Sequence, residues 1–347
     1  MSGVSLTRSE RHSREGGSPL TAQNAVAAPA AASGAPVPVA AVHLPPRADI
    51  AVLAVAVAAV GTSGPLIAAT AAPALAIAFW RNALGAAALS PYALWRHLAE
   101  IRAMGRPQWL AALGGGVALG AHFATWTPSL TMTSVASATA FVSAQPIFAA
   151  LIARARGEHV SHRAWLGIVI SVVGVVALSG VDLTLSARAF SGDLLAILAG
   201  ALAAVYMTFG AKARQTLSLA PYAVICYSTA AVTLALLAFA TGEHLTGLSA
   251  NSWIKILALV AGAQLLGHTL FNRVLKTTSP TVVSVCILLE VPTAAAIAAL
   301  WLGQVPSWAT VPGALIILAG LAIVATSGAT RGADHPGVPE TADVTRQ

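Results

Sequence analysis

The second half of this 347-residue chain repeats the first half at a fixed offset of 146 residues. The repeated positions hold a histidine, a proline, a serine and three glycines. The pairs are His122 and His268, Pro146 and Pro292, Gly157 and Gly303, Ser161 and Ser307, Gly167 and Gly313, and Gly174 and Gly320. No gap is needed to align them, and paired histidines and prolines are hard to ascribe to chance. Two like halves in an apolar chain are typical of membrane transporters.

The composition indicates that lipid is the solvent of this chain. Hydrophobic residues make up 57% of it and charged residues only 9%, whereas a soluble domain carries about 25% charged residues. The net charge of +7 would suit nucleic acid, but the basic residues sit mostly in short gaps between apolar runs. That distribution is typical of membrane proteins with positive cytoplasmic loops. We therefore expect membrane lipid as a partner and no nucleic acid.

Ten apolar stretches are long enough to cross a bilayer, whose core needs about 20 helical residues. They are residues 50–70, 75–95, 109–127, 134–153, 164–181, 192–211, 221–241, 253–272, 280–302 and 308–328. The chain is therefore predicted to be an all-α polytopic membrane protein with ten transmembrane helices. Gly and Ala are frequent in several stretches, which suits close helix packing in lipid.

The basic residues predict the orientation of these spans. With the N-terminus in the cytoplasm, 16 of the 19 lysines and arginines fall in inside segments, two (Arg188 and Lys255) fall outside, and Arg81 lies within a span. This asymmetry favours ten spans with both termini in the cytoplasm, in the cell (inner) membrane. The repeat shifts by five spans, an odd number, so the two halves enter the membrane in opposite orientations. The predicted architecture is a 5+5 inverted repeat.

The domain organisation follows from the spans. Residues 1–47 are rich in Ala, Pro, Ser and Gly and are predicted to be a disordered cytoplasmic tail. Residues 48–181 form the first repeat with spans 1–5, residues 191–328 form the second with spans 6–10, and residues 329–347 form a second cytoplasmic tail. The two cysteines, Cys226 and Cys286, lie in apolar runs and give no disulfide framework or metal motif.

Several stretches resemble the EamA-type transporters of the drug/metabolite transporter superfamily. The second span, AIAFWRNALGAAAL, carries the family's aromatic-x-Arg feature at Phe79 and Arg81. Residues 122–178 carry an apolar run followed by Gly157, Glu158, a short polar link and a glycine in the next span. The stretch LLEVPTAAAIAALWLGQVPSWATVPGALIILAGLAIV repeats the pattern in the second half. The resemblance covers about residues 50–328 and implies a transporter fold, with export as the expected direction of transport.

Two features depart from that family pattern. The second half has Gln304 where the first has Glu158, so a carboxylate is not required in that loop in both halves. The first span is interrupted by Gly61, Gly64 and Pro65. Broken helices often line transporter sites, so Pro65 in the first span and Pro292 in the ninth are predicted helix breaks.

Two ionisable residues lie well inside predicted spans, where a charge costs roughly 2.5–3.5 kcal/mol on insertion scales. Arg81, next to Asn82, is interpreted as an anion-binding or counter-ion residue that faces a cavity; the alternative is a structural pair. Glu290, two residues before Pro292, is interpreted as a proton-carrying carboxylate; the alternative is a partner for Arg81. A buried Arg–Glu pair that breaks during transport would combine both interpretations.

A polar stripe is predicted on the eighth span. Gln264, His268 and Asn272 are spaced four residues apart and share a helical face. His122 and Trp126 on the third span are the repeat mates of His268 and Asn272. These residues are predicted to line the pathway, with helix–helix hydrogen bonding as the alternative. Trp126 and Tyr227 also offer stacking surfaces for an organic solute.

The sequence favours a secondary active transporter that moves a small organic metabolite or drug by alternating access, with protons as the candidate coupling ion. No nucleotide-binding, cofactor or metal motif was recognised, so no cofactor and no enzyme activity are expected. A lipid-processing membrane enzyme is the first alternative, and its best cluster is Glu158, His159 and His162 in a loop. A non-transporting scaffold is the second, but a scaffold has no need of Arg81 and Glu290 within the membrane. A homodimer is compatible with such a chain.

Overall fold

The computed structural model describes residues 46–157, 159–179, 187–303 and 310–327. Almost all of residues 1–47, the whole of residues 329–347, and Glu158, Gln304 and Ser307 lie outside the described residues. The described residues form helices and the turns between them, and they contain no strand. The helices are α1 Arg47–Gly61, α2 Ser63–Ala68, α3 Ala74–Arg102, α4 Arg106–Met132, α5 Val135–Val142, α6 Gln145–Ala155, α7 His162–Ser179, α8 Ala187–Arg214, α9 Leu219–Thr241, α10 Ala250–Leu259, a π-helical segment Val260–His268, α11 Thr269–Val274, α12 Pro280–Ile287, α13 Glu290–Leu302 and α14 Thr310–Ser327.

Six stretches within the described residues are both long and apolar enough to cross a membrane. They are Arg47–Ala68, Val135–Ala155, Ala187–Arg214, Leu219–Thr241, Ala250–Val274 and Val282–Leu302. Large apolar side chains cover the outside of the molecule: Phe239 is 89% exposed and Leu300 is 91% exposed. A surface of this kind is stable in contact with acyl chains and costly in contact with water.

Local sequence explains where several helices begin and end. The hydroxyls of Ser134, Ser249 and Ser279 accept hydrogen bonds from backbone N–H groups three residues on, and so cap the N-termini of α5, α10 and α12. Gly303 ends α13 with a φ of 67°, and its repeat mate Gly157, just past α6, has a φ of 82°. Glycine adopts this left-handed conformation without the strain of a Cβ atom.

Three of the expected spans are broken in the structure, each just before a proline. The first span changes from α1 to α2 at Thr62, three residues before Pro65. The fourth breaks at Ser143 and Ala144 before Pro146, and the ninth at Leu288 and Leu289 before Pro292. Each proline then lies in the first turn of the following helix, where its missing N–H has no intrahelical acceptor to lose. The break positions predicted from Pro65 and Pro292 are therefore visible in the backbone.

The repeated glycines bring the last helix of each half together. A Cβ atom added to Gly320 on α14 would lie 2.6 Å from the carbonyl oxygen of Gly167 on α7, and one added to Gly174 would lie 2.9 Å from the carbonyl oxygen of Gly313. The crossing is symmetric, because Gly167 pairs with the mate of Gly174 and Gly174 pairs with the mate of Gly167. Small residues permit this approach of two backbones, which is how helices associate in lipid.

Helices α3 and α9, which pack side by side, hold each other at both ends. The Glu100 carboxylate in the last turn of α3 accepts a hydrogen bond of 2.5 Å from the backbone N–H of Ser218 at the start of α9. The Glu243 carboxylate, just past α9, accepts one of 3.1 Å from the N–H of Leu75 at the start of α3. Each carboxylate meets the positive end of the neighbouring helix dipole.

Candidate functional site

A small buried cavity lies where helices of both halves meet; we call it the central cavity. It has a free volume of about 30 Å³, enough for about one or two water molecules but not for an organic solute. Its lining residues are Val60, His122, Trp126, Val142, Gln145, Ala203, Tyr206, Met207, His268, Phe271, Ile287 and Glu290. Apolar walls with a few convergent polar groups are typical of a small-molecule site.

The two repeat-related histidines face each other across this cavity. Their ring centroids are 6.5 Å apart. Nδ1 of His122 donates a hydrogen bond to the Ala199 carbonyl at 2.9 Å, which in the neutral ring leaves Nε2 as an acceptor. Nδ1 of His268 is buried and has no hydrogen-bond partner among the described residues. One histidine is therefore oriented by the backbone, and the other retains unused hydrogen-bonding capacity.

Glu290 enters the cavity from the helix break. It is the first residue of α13 and is only 4% exposed. No hydrogen bond to its carboxyl group is found among the described residues, and the charged group that acts on it is Arg81. Its position in the first turn places it near the free N–H groups of α13, where the helix dipole favours negative charge. A buried carboxyl group with no side-chain partner, beside a cavity, is suited to binding and releasing a proton or a cation.

Other polar groups near the cavity also have unused capacity. Nε1 of Trp126 and Nδ2 of Asn272 are buried without a partner among the described residues. The Tyr206 hydroxyl on α8 donates to Oδ1 of Asn272 on α11 at 2.7 Å. Nε2 of Gln145 donates to the Ser284 hydroxyl at 2.7 Å, which joins the two halves beside the cavity. Buried donors without acceptors are uncommon in folded proteins, and this concentration is consistent with a solute site.

Arg81 lies outside the central cavity, in a separate buried cluster. Its Nε donates to Oε1 of Gln264 at 3.0 Å, and its Nη1 donates to the Ser63 hydroxyl at 3.1 Å. Its guanidinium carbon lies 4.1 Å from the centroid of the Phe123 ring, a favourable cation–π geometry. Gln264 in turn donates to Oδ1 of Asn82 at 3.1 Å. Among the described residues Arg81 forms no ion pair with Glu290, so the expected alternative of a direct Arg–Glu pair is absent from this conformation.

The polar stripe of the eighth span is distributed among three neighbours. Gln264 faces Arg81, His268 faces the central cavity, and Asn272 faces Tyr206 on α8. The π-helical segment that carries Gln264 and His268 was not predicted. Its geometry leaves the Gln264 carbonyl accessible to the hydroxyls of Thr269, at 3.1 Å, and of Tyr227, at 3.5 Å. Single π-helical turns within α-helices often occur at functional sites.

A much larger cavity opens beside the central one, and we call it the vestibule. Its volume is about 720 Å³. It lies along the same two helical rods: α8 contributes Met207 to the central cavity and Thr208 to the vestibule, and the eighth span contributes Phe271 and Leu275 respectively. Neighbouring residues of α8 thus line different spaces: Tyr206 and Met207 line the central cavity, and Val205 and Thr208 line the vestibule.

The opposite end of the molecule is closed by contacts between the two halves. Trp80 donates from its indole N–H to the Leu245 carbonyl at 2.6 Å and packs edge-on against Trp253, with centroids 4.9 Å apart. The Lys255 ammonium donates to the Ala69 carbonyl at 2.5 Å. These contacts join the first half of the chain to the second around Trp80 and Lys255.

The predicted site residues thus fall into two neighbouring groups. His122, Trp126, His268 and Glu290 line the central cavity, and Asn272 accepts a hydrogen bond from Tyr206, which also lines it. Arg81, Asn82, Gln264 and Tyr227 form the adjacent polar cluster. Sequence reasoning missed Gln145, although it is a polar residue in mid-span next to Pro146, the repeat mate of a predicted helix break. In the described part of the chain no three His, Cys, Asp or Glu side chains are grouped to hold a metal ion; Glu158, in the loop cluster considered above, lies outside it.

These features define a helical membrane protein of two similar halves with a buried polar cavity between them. The chain belongs to the EamA-like transporter family, whose profile matches residues 48–180 and again residues 190–326. This match confirms the resemblance drawn from the sequence. Comparison with curated proteins gives no match. Twenty-seven chains of solved structures match; one, described as "Crystal structure of protein", has a TM-score of 0.66 at 19% identity and covers 83% of this chain and 99% of its own, a likeness that shows the fold.

Proposed function

We propose that this protein is a secondary active transporter that moves a small organic metabolite or drug across the cell membrane by alternating access. The observation that carries the proposal is the central cavity itself. Residues of both halves line it, repeat-related histidines face each other in it, and Glu290 reaches it without a hydrogen-bond partner among the described residues. An inverted repeat that meets at a polar site is the arrangement in which one half rocks against the other.

The proposed topology has ten spans, five in each repeat. The protein lies in the cell (inner) membrane, and both of its termini are in the cytoplasm. The helix bounds support it, because each expected span coincides with one helix or one broken helical rod over its described residues. The charges support the orientation, because the vestibule opens among Arg156, Lys212 and Lys276, all on the side expected to be cytoplasmic.

In this topology the structure corresponds to a state that opens toward the cytoplasm but keeps the central cavity closed. A free volume of about 30 Å³ is too small for an organic solute, so the helices that line the central cavity must separate before a solute can enter. Export, the direction implied by the family resemblance, would begin at the vestibule and end with opening of the contacts around Trp80 and Lys255.

We assign proton coupling to Glu290. The break before α13 places this carboxyl in the cavity, and its repeat mate, Ala144, has no ionisable side chain. A neutral carboxyl group is favoured in an apolar cavity, whereas the ionised form is favoured when the cavity is hydrated. Opening and closing of the cavity would therefore change the affinity of Glu290 for a proton, which is what coupling requires.

The test is solute-driven proton movement in reconstituted liposomes, with a panel of amino acids and cationic drugs. Glu290→Gln is compared with wild type, and Glu243→Gln is the matched control, because it makes the same chemical change outside the cavity and retains an acceptor for the Leu75 N–H. We expect Glu290→Gln to abolish proton movement while it still folds and binds solute, and Glu243→Gln to retain it.

Each contrary result has a defined meaning. Full proton movement in Glu290→Gln would make this residue structural and leave His122 and His268 as the candidate coupling groups. Lipid turnover without solute flux would favour a membrane enzyme. Neither activity in a folded wild-type protein would favour a scaffold.

A further inference from the structure

The vestibule is strongly biased toward positive charge and hydrogen-bond donors. Among the described residues its lining includes Arg156, Lys212 and Lys276 and contains no acidic residue. Both lysines are exposed, so each ammonium can turn into the vestibule. The charges come from three different helical rods that surround one space, and charges of one sign that line a concave surface raise the local concentration of an oppositely charged ligand.

One hydroxyl in the vestibule has no hydrogen-bond partner among the described residues. Thr278 is 5% exposed, and its Oγ1 is buried and unpaired. The other three hydroxyls that line the vestibule are engaged: Thr208 donates to Ala204, Thr277 to Val274, and the Ser279 oxygen accepts from Val282. A buried hydroxyl without an acceptor is costly, so Thr278 is the donor that a ligand would satisfy.

One described carboxylate, that of Asp49, contacts the vestibule lining at Thr277. Oδ2 of Asp49, on the first turn of α1, accepts a hydrogen bond of 2.5 Å from the Thr277 hydroxyl. Asp49 is not part of the vestibule lining, and the described lining retains both lysines and Thr278 for a ligand. The opposite wall is apolar, with Ile152, Val205, Phe209 and Leu275.

We propose that the vestibule is the first binding site for an organic anion, with a carboxylate or phosphate held by Lys212, Lys276 and Thr278 and an apolar body against the wall that contains Phe209. This inference rests on the proposed transport function and narrows its solute class. A charged group near two ammonium groups and a hydroxyl donor forms charge-assisted hydrogen bonds, and the volume of about 720 Å³ is that of a drug-sized ligand pocket. From there the solute lies beside Val205 and Thr208, whose neighbours Tyr206 and Met207 line the central cavity.

An anionic lipid headgroup carries the same chemistry, and positive residues also collect on cytoplasmic loops for topological reasons. The free solute is favoured because the buried Thr278 lines a concave space whose walls include α8 and the eighth span, the same two rods that line the central cavity. The experiment separates the two sources by its choice of lipid.

The experiment measures ligand binding without transport, using full-length protein in nanodiscs of phosphatidylcholine alone. The probes are benzoate, its uncharged isostere benzamide, and inorganic phosphate, followed by thermal stabilisation and by equilibrium binding of radiolabelled benzoate. The test variants are Lys212→Gln with Lys276→Gln, and Thr278→Val. The control is Arg102→Gln, which removes an exposed charge from the same face but outside the vestibule.

We expect benzoate to bind and benzamide not to bind. Affinity should fall about tenfold or more in the double lysine variant and by a smaller factor in Thr278→Val, with Arg102→Gln unchanged. No response of wild type to either anion would overturn the proposal. So would a response that Arg102→Gln and the double variant lose equally, or stabilisation seen only with nanodiscs that contain phosphatidylglycerol. Because the assay requires no flux, a protein that binds benzoate but transports nothing would refute the transport function and leave this site intact.

Discussion

The crossing of α7 and α14 allows a quantitative test of the packing, with Gly320→Ala as the perturbation. The added Cβ would lie 2.6 Å from both the Gly167 carbonyl oxygen and the Ser171 backbone nitrogen, whereas ordinary contact begins at 3.4 Å. The nearest atom is the Ser171 hydroxyl oxygen, at 2.1 Å, and a hydroxyl can rotate away. The two backbone atoms cannot, so the helices must separate by about 0.8 Å.

The cost of that separation can be set against a favourable helix-propensity term. Overpacking of this kind costs roughly 1–3 kcal/mol, while replacement of a helical glycine by alanine gains about 0.8–1.0 kcal/mol. Gly262→Ala is the matched control, because its nearest neighbour is the Thr62 hydroxyl oxygen at 3.6 Å, so it has the gain without the clash. Relative to this control, Gly320→Ala should be destabilised by about 2 kcal/mol, or roughly 4–8 °C in melting temperature.

The assay is the apparent melting temperature of both variants in detergent, followed by tryptophan fluorescence and by loss of the monodisperse peak in size-exclusion chromatography. Gly167→Ala, whose closest backbone contact would be 2.8 Å, should lie between the two. Equal melting temperatures for Gly320→Ala and Gly262→Ala would show that the two backbones are not in contact at this crossing, and the symmetric packing of α7 on α14 would then be wrong.

Two further predictions concern the buried polar groups. Tyr206→Phe removes the hydrogen bond that joins α8 to Asn272 on α11 beside the central cavity. We expect the looser contact to let a membrane-impermeant maleimide label Met207→Cys several-fold faster, in a chain whose two native cysteines are serine; unchanged labelling would mean that this bond does not restrict access to the cavity. Arg81→Lys keeps the charge but cannot supply the planar contacts to both Gln264 and Ser63, so we expect a loss of about 2 kcal/mol and a lower melting temperature, which a lysine variant as stable as wild type would contradict.

The repeat predicted the parts of the fold that depend on backbone geometry. Two helix backbones touch where α7 crosses α14, so glycine is needed at the contact positions and can be recognised in the sequence. These positions are Gly167, Gly174, Gly313 and Gly320. Proline alone was an incomplete guide to the helix breaks: Pro65 and Pro292 lie in the first turn of a new helix, whereas Pro128 lies inside α4.

The hydrogen-bond partners of the buried polar residues could not be predicted from the sequence. Arg81 was expected to face a cavity or to pair with a carboxylate, but its neighbours are Gln264 and Ser63. Those contacts depend on how α3 packs against the π-helical segment, which spacing within a single helix does not indicate. The π-helical segment has no sequence signal of its own: the Gln264 carbonyl accepts from the backbone N–H and the hydroxyl of Thr269, five residues on, and from the Tyr227 hydroxyl on α9.

The two halves share the glycines, prolines and histidines of the repeat but differ in their charged residues. The central cavity explains this difference. The repeat retains glycines at the helix crossing, prolines after the breaks and a histidine on each side of the cavity. The charged or strongly polar positions are present once: Glu290 corresponds to Ala144, Arg81 to Tyr227, and Gln264 to Ala118. Gln145 and Glu290, the first residues after the breaks in the two halves, both line the central cavity of about 30 Å³, so a second carboxyl group at the first break would lie near that of Glu290. Like charges at such range oppose ionisation of both, so a single carboxyl group can respond to hydration of the cavity in a way that a symmetric pair would not.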